Sequence, residues 1–398
     1  MDVELLAPAG NFEKLKVALH YGADAVYVGG KNFSLRSFAG NFTDEELVEA
    51  TEYVHAKGKK IYVAANIYAR GSDADGLKKY FKFLQFAGVD AVLVSDPGVL
   101  YIARESAPQL ALHLSTQANT TNGYAARFWL GQGVSRIVAA RELSLREIKE
   151  IHRLCPEMEI EAFVHGAMCI SYSGRCLLSD YLDGRSSNRG ACVQACRWGY
   201  ELRPVSPNES DELLPVEQDE RGTYILNSKD LNMIFRLHEL QDAGVVSFKI
   251  EGRMKSGYYL ATVINAYRRA MKGEDVELCA SELNNVMHRD YTEAYALGVN
   301  NKTVSYGNSQ TKGAYEYIAD VLDWREGMAT VEMRNRFHSG EVLQVLSPYE
   351  EFGTDIELGE LYGPDGEAVD DAKLVQGKYC FRTDVRLRSG DFLRRRRR

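Results

Sequence analysis

One local pattern recurs four times and limits what the chain can fold into. Gly22-Ala-Asp-Ala-Val-Tyr-Val, Gly88-Val-Asp-Ala-Val-Leu-Val, Gly133-Val-Ser-Arg-Ile-Val-Ala and Gly244-Val-Val-Ser-Phe-Lys-Ile share one design. A glycine ends a helix where positive φ is often needed, and an apolar strand begins shortly after. Extending the pattern gives eight candidate strands: Glu4–Pro8, Ala25–Gly29, Lys60–Asn66, Asp90–Ser95, Leu110–Thr116, Arg136–Ala140, Glu159–His165 and Val245–Glu251. Between them lie segments of helical period: Asn11–Tyr21, Asp44–Ala56, Leu77–Phe86, Tyr124–Leu130, Leu143–Leu154 and Leu231–Leu240. Such alternation implies a parallel sheet with helical crossovers. Eight strands suit a (β/α)8 TIM-like barrel better than the alternative, a doubly wound open sheet.

The chain has 398 residues, more than the roughly 250 of one such barrel. We read residues 1–275 as the barrel, closed by an eighth helix over Ser256–Lys272. Residues 276–305 read as a helical linker, with Cys279–Tyr295 as a helix. Residues 306–398 read as a small C-terminal β-barrel domain. Its short alternating runs are Tyr315–Val321, Met328–Met333, Glu341–Leu346 and Lys378–Thr383. Apolar residues are 45% and charged residues 26%, which excludes disorder, collagen and coiled coil. Neither a long apolar run nor a signal-peptide pattern is present, so a cytoplasmic protein without membrane contact is expected. The net charge of −8 argues against coating nucleic acid by bulk attraction, while leaving room for a local basic patch.

The strand–helix rhythm breaks between Gly166 and Gly222, after the seventh strand. An acidic loop, Asn208–Glu220, lies there, with Tyr200–Val205 and Thr223–Leu226 as a candidate flanking hairpin. The same interval holds Cys169, Cys176, Cys192 and Cys196, four of the seven cysteines, spaced C-x6-C-x15-C-x3-C. Four thiolates complete a [4Fe-4S] or a zinc site. Zinc sites usually pair ligands two to four residues apart, so the six-residue first gap favours a cluster. Zinc and plain buried thiols remain the alternatives. Cys155, Cys279 and Cys380 read as ordinary thiols.

The stretch from Glu161 to Ser179 matches the pattern E-x-F-x-x-G-[SA]-[LIVM]-C-x4-G-x-C-x-[LIVM]-S at every specified position. In this it resembles peptidase family U32. Leu6-Ala-Pro-Ala-Gly10, Gly29–Arg36, Lys249–Lys255 and Arg334–Gly340 are also similar to segments of that family. The resemblance implies one of two activities. Some members are described as collagenases. Others are prephenate-dependent iron–sulfur hydroxylation proteins, and one branch converts the tRNA wobble uridine to 5-hydroxyuridine without O2. The layout here is most similar to that branch. It implies a [4Fe-4S] cluster on the four cysteines, prephenate as co-substrate, and as partners a tRNA anticodon loop and a paralogous family subunit. Residue chemistry gives the peptidase little support, because there is no H-E-x-x-H and no G-x-S-x-G. A Cys169–His165 pair would take a thiol from the four-cysteine set. A third reading is a non-catalytic iron–sulfur scaffold for RNA.

Barrel catalysts come from the C-terminal strand ends. There we take His165, Lys249 and Glu251 as catalytic candidates, and Arg36, Asn66, Gln117, Arg141 and Arg253 as substrate-binding candidates. The mouth is cationic, and guanidinium forks match the two carboxylates of prephenate. Arg141 and Arg253 would otherwise be structural partners of Glu142 or Glu251, and His165 a core histidine. Period-two alternation turns Lys249 and Glu251 into the barrel together. For RNA, the basic candidates are Arg334, Arg336, Arg386, Arg388 and the tail Arg394–Arg398, which otherwise reads as a frayed, solvated terminus. Tyr172, Tyr181 and Trp198 are candidates for stacking on a base, with packing around the cysteines as their ordinary role.

Overall fold

The computed structural model describes residues 1–34, 40–172, 175–198, 218–219, 222–223, 228–298, 303 and 311–397. Arg36, Arg398, the Tyr200–Val205 strand and most of the acidic loop lie outside the described residues. Eight strands run parallel: β1 (Glu4–Pro8), β2 (Ala25–Gly29), β3 (Lys60–Ala64), β4 (Ala91–Val94), β5 (Ala111–Leu114), β6 (Arg136–Val138), β7 (Glu159–Ala167) and β8 (Val245–Ile250). β8 pairs with both β1 and β7, and the sheet closes into a TIM-like barrel.

Side-chain alternation fills the barrel in layers. Leu6, Tyr27, Tyr62, Leu93 and Val138 pack inside it, with Phe163 against them. A second layer is polar and charge-balanced. Glu4 accepts from Arg136 Nη1 at 2.6 Å, Ser247 Oγ at 2.8 Å and the Tyr62 hydroxyl at 2.6 Å. Glu161 accepts from Lys249 Nζ at 2.6 Å and Arg136 Nη1 at 3.4 Å. Buried charges are tolerated when paired and hydrogen-bonded in this way.

The helices start where local chemistry places them. Thr43 with Glu46, and Ser144 with Glu147, form capping boxes for Asp44–His55 and Leu145–Leu154. Asp96 caps Pro97–Ser106, whose proline sits in the first turn. That helix is absent from the sequence reading. The Leu231–Leu240 segment is only partly helical. Asp230–Asn232 pairs antiparallel with β7, and the helix itself is Leu237–Asp242. The Cys279–Tyr295 helix is likewise corrected: Val276–Glu282 is helical, and Tyr291–Thr292 is a strand beside Asp230–Asn232. Gly222–Thr223 pairs with Gln218–Asp219; the other half of the expected hairpin, Tyr200–Val205, lies outside the described residues.

The chain divides into two compact units. The first comprises Met1–Leu15, Asp24–Met254 and Arg289–Thr311; the second comprises Lys16–Ala23, Lys255–His288 and Lys312–Arg398. The expected eighth barrel helix, observed at Gly257–Met271, belongs to the second unit. That unit contains a curled antiparallel sheet whose central strands include Tyr315–Arg325, Met328–Met333, Lys378–Arg382 and Phe392–Arg396. Its core holds Ile318, Val331, Phe337, Leu343, Phe381 and Leu393.

The arginine tail is the main correction in this unit. It is no frayed terminus: Phe392–Arg396 lies between Tyr315–Arg325 and Val342–Leu346. Arg394 is fully buried and paired with Glu282. Other basic candidates are also matched. Arg395 pairs with Glu316 and Glu341, Arg334 with Asp320 and Glu332, Arg336 with Asp371, and Arg388 with Glu350. Arg386, Arg396 and Arg397 are exposed. Among the described residues, no helix is long and apolar enough to cross a membrane.

Candidate active site

The β-strand ends and the cysteine segment enclose one cavity within the first unit. Cys169, Cys176, Cys192 and Cys196 line it, together with Asn66, Gln117, Arg141, Lys249, Glu251 and Arg253. Ten of the twelve candidate residues thus meet at one place. Of the other two, Arg36 is outside the described residues and His165 does not line the cavity.

The sulfurs sit among hydrogen-bond donors. Leu178 N–H donates to Cys176 Sγ at 3.4 Å, Gln194 N–H to Cys192 Sγ at 3.4 Å, and Ser179 Oγ to Cys192 Sγ at 3.7 Å. Burial pushes the Cys196 thiol up; Arg197 opposes this, while Cys169, Cys192 and Cys176 reinforce it. The other three thiols therefore lie within electrostatic reach of Cys196. Among the described residues no three His, Cys, Asp or Glu side chains close on a single metal ion. Hydrogen bonds to sulfur, of the kind Leu178, Gln194 and Ser179 donate here, are one of the means by which a protein sets the reduction potential of an iron–sulfur cluster.

The cysteine segment is fastened to the loop after β3. Arg189 donates to Tyr68 O at 2.7 Å and to Asp73 at 3.0 Å, and Tyr68 N–H donates to Asn188 O at 3.2 Å. The Arg189 bond holds the Asp73 carboxyl below its usual range, and the Arg70 backbone N–H adds to the effect.

The cationic wall has a definite structure. Lys249 is buried and bonded to Glu161, with its Nζ 4.5 Å from the Tyr27 ring centre. Its partner is Glu161 from β7, where the sequence suggested Glu251. Glu251 instead stands 3.8 Å from Arg141, whose guanidinium lies 4.0 Å over the Phe163 ring. Arg253 is buried and donates from Nη2 to Ser34 Oγ at 2.8 Å. Its guanidinium lies so close to Gly29 that a Cβ there would collide with Nη1. Gly166, at φ 109°, likewise has no room for a Cβ, which would strike the Glu251 carbonyl oxygen.

The neutral wall was only partly foreseen. Asn66 Nδ2 donates to Gln117 Oε1 at 2.6 Å, and Ser115 Oγ donates to the same oxygen at 3.0 Å. Ser115 and Thr116, which also line the cavity, were not singled out in the sequence, although they stand at the end of β5. His165 is buried, with its ring 5.4 Å from Tyr291. Tyr172, Tyr181 and Trp198 are exposed and do not line the cavity.

Comparison with known proteins places these features in one family. The model of peptidase family U32 matches residues 10–305, and that of its C-terminal domain matches residues 314–394. A Bacillus subtilis (strain 168) relative called tRNA hydroxylation protein P1 is 38% identical, over 98% of this chain and 94% of its own length. An Escherichia coli (strain K12) relative called tRNA hydroxylation protein P is 36% identical, over 92% and 90%. A Porphyromonas gingivalis relative called collagenase is 33% identical, over 87% of each.

Proposed function

The chain belongs to peptidase family U32, and from that premise we propose that it is a tRNA-modifying enzyme of the cytoplasm. It hydroxylates the wobble uridine to 5-hydroxyuridine without O2, using prephenate as co-substrate. Relatives bearing the name tRNA hydroxylation protein align over nearly the whole chain. The observation that carries the reading is the single cavity in which four thiols face cationic and amide side chains.

Cys169, Cys176, Cys192 and Cys196 would hold a [4Fe-4S] cluster, with Leu178 and Gln194 N–H groups on its sulfur ligands. Such a cluster supplies one-electron redox chemistry. Arg253 and Arg141 would bind the carboxylates of prephenate through paired hydrogen bonds. Lys249 and Glu251 would lie beside the reacting atoms, where a proton can be held or moved. His165, four residues before Cys169 in the sequence, would act through the start of the cysteine segment. Exposed Tyr172, Arg175 and Tyr181 flank the cysteines and would stack on or steer the anticodon loop. A paralogous subunit would complete the assembly.

The family name and the collagenase relative keep a peptidase reading in view. A cysteine peptidase needs its thiol and base within reach of each other. Here Cys169 lines the cavity, whereas His165 does not line it and packs against Tyr291. Anaerobically purified protein decides between the two. The hydroxylase binds prephenate, shown by a raised melting temperature, and forms 5-hydroxyuridine in added tRNA. Gelatin cleavage with no response to prephenate would establish the peptidase instead.

A further inference from the structure

The cavity is divided by chemistry. The side built from β6 and β8 carries Arg141, Lys249, Glu251 and Arg253, whereas the side built from β3 and β5 presents the uncharged Asn66, Ser115 and Gln117. A carboxylate gains most from guanidinium forks, so an acid is drawn to the first side. The second side suits a neutral ligand.

Gln117 specifies what that ligand must offer. The residue is 5% exposed. Its Oε1 is occupied twice, by Asn66 Nδ2 and Ser115 Oγ, which fixes the amide's orientation. Turned over, it would set its NH2 against the NH2 of Asn66. In the orientation held, Nε2 is buried and has no hydrogen-bond partner among the described residues. Buried donors are nearly always satisfied, and this one borders a cavity whose walls include Tyr27, Leu93 and Val138. A flat ring carrying a carbonyl acceptor fits that surface.

We propose that Gln117 recognises the target base, its amide NH2 donating to a ring carbonyl of the pyrimidine while the acid co-substrate occupies the guanidinium side. This assignment rests on the tRNA reading above. It makes Gln117 a specificity residue for the RNA and not for the acid.

The test uses the full-length, cluster-loaded protein and two RNA stem-loops, one with uridine at the target position and one abasic there. Wild-type protein should bind the uridine stem-loop about tenfold more tightly, the scale of one buried hydrogen bond. Gln117→Glu keeps an oxygen for Asn66 and Ser115 but sets an anion against the carbonyl. It should erase that preference and leave the cluster's visible absorbance unchanged, and the uncharged Gln117→Met, which adds no repulsion toward the acid, should also leave prephenate affinity unchanged. Should Gln117→Glu fail to fold, Gln117→Met removes the donor at similar size and should erase the preference too. A variant that keeps the uridine preference, or a Gln117→Met that loses prephenate affinity instead, overturns the assignment. Wild-type protein that binds both stem-loops equally also overturns it. Wild-type protein that binds neither overturns the tRNA reading as well.

Discussion

Arg394 and Glu282 form a two-pronged buried ion pair, Nη1 to Oε2 at 2.8 Å and Nη2 to Oε1 at 2.9 Å. Arg394 also donates to Gln344 and lies 4.7 Å from the Tyr315 ring centre. Removing one partner strands a buried charge, which costs about 3–5 kcal/mol. Arg394→Gln should therefore lower the denaturation midpoint of the second unit sharply. Arg395→Gln, which loses partly exposed pairs, should cost no more than about 1 kcal/mol. Equal effects in the two variants would contradict the buried role of Arg394.

Arg253 tests the acid side of the cavity. Its guanidinium is held by Ser34 and lies against the bare face of Gly29. Arg253→Lys keeps the charge but loses the planar fork. Prephenate affinity should fall about 10- to 150-fold, the scale of a charge-assisted bond, with little change in melting temperature. A variant that melts lower but binds prephenate normally would show that Arg253 is structural.

His113 gives the barrel a pH dependence. It is buried edge-on to Tyr62, and burial, then the charges of Arg136, Lys249 and Lys60, hold its pKa well below 6.5. The folded state therefore keeps the neutral ring, while the unfolded chain takes up a proton near pH 6.5. The contribution is complete above that pH. It is lost as pH falls below it, by up to about 1.4 kcal/mol per pH unit. Urea midpoints at pH 7.5 and 5.5 should separate for wild type and converge for His113→Gln. Equal separation in both proteins would remove His113 as the cause.

The cysteine assignment predicts a brown protein when it is purified without air. Cys176→Ser should abolish iron incorporation, because serine is a poor soft-metal ligand. Iron and acid-labile sulfide analysis checks this. Colourless protein carrying one zinc would overturn the cluster.

What was legible in the sequence was the repeat. A glycine followed by an apolar run marks four of the eight barrel strands, and the alternation of apolar runs with helical segments marks the other four, since helix ends and strand alternation are local properties. The cysteines and the strand-end residues followed from it. Pairings across the barrel were not legible, because they depend on register. Lys249 meets Glu161, 88 residues away, and no local pattern distinguishes that partner from Glu251. The tail misled for a related reason. Five arginines in a row look solvated unless Glu282 is known to wait in the core. Pro97–Ser106 carries its own signals, a cap in Asp96 and a first-turn proline in Pro97. The open amide of Gln117 appears only once Asn66 and Ser115 are placed beside it.

The most direct test of the central claim is mass spectrometry of tRNA nucleosides from cells lacking this gene and any family paralogue. 5-Hydroxyuridine and nucleosides derived from it should disappear. They should return when the wild-type chain is restored together with the paralogue, but not when Cys176→Ser is restored in its place. An unchanged nucleoside profile in the deletion strain would contradict the account.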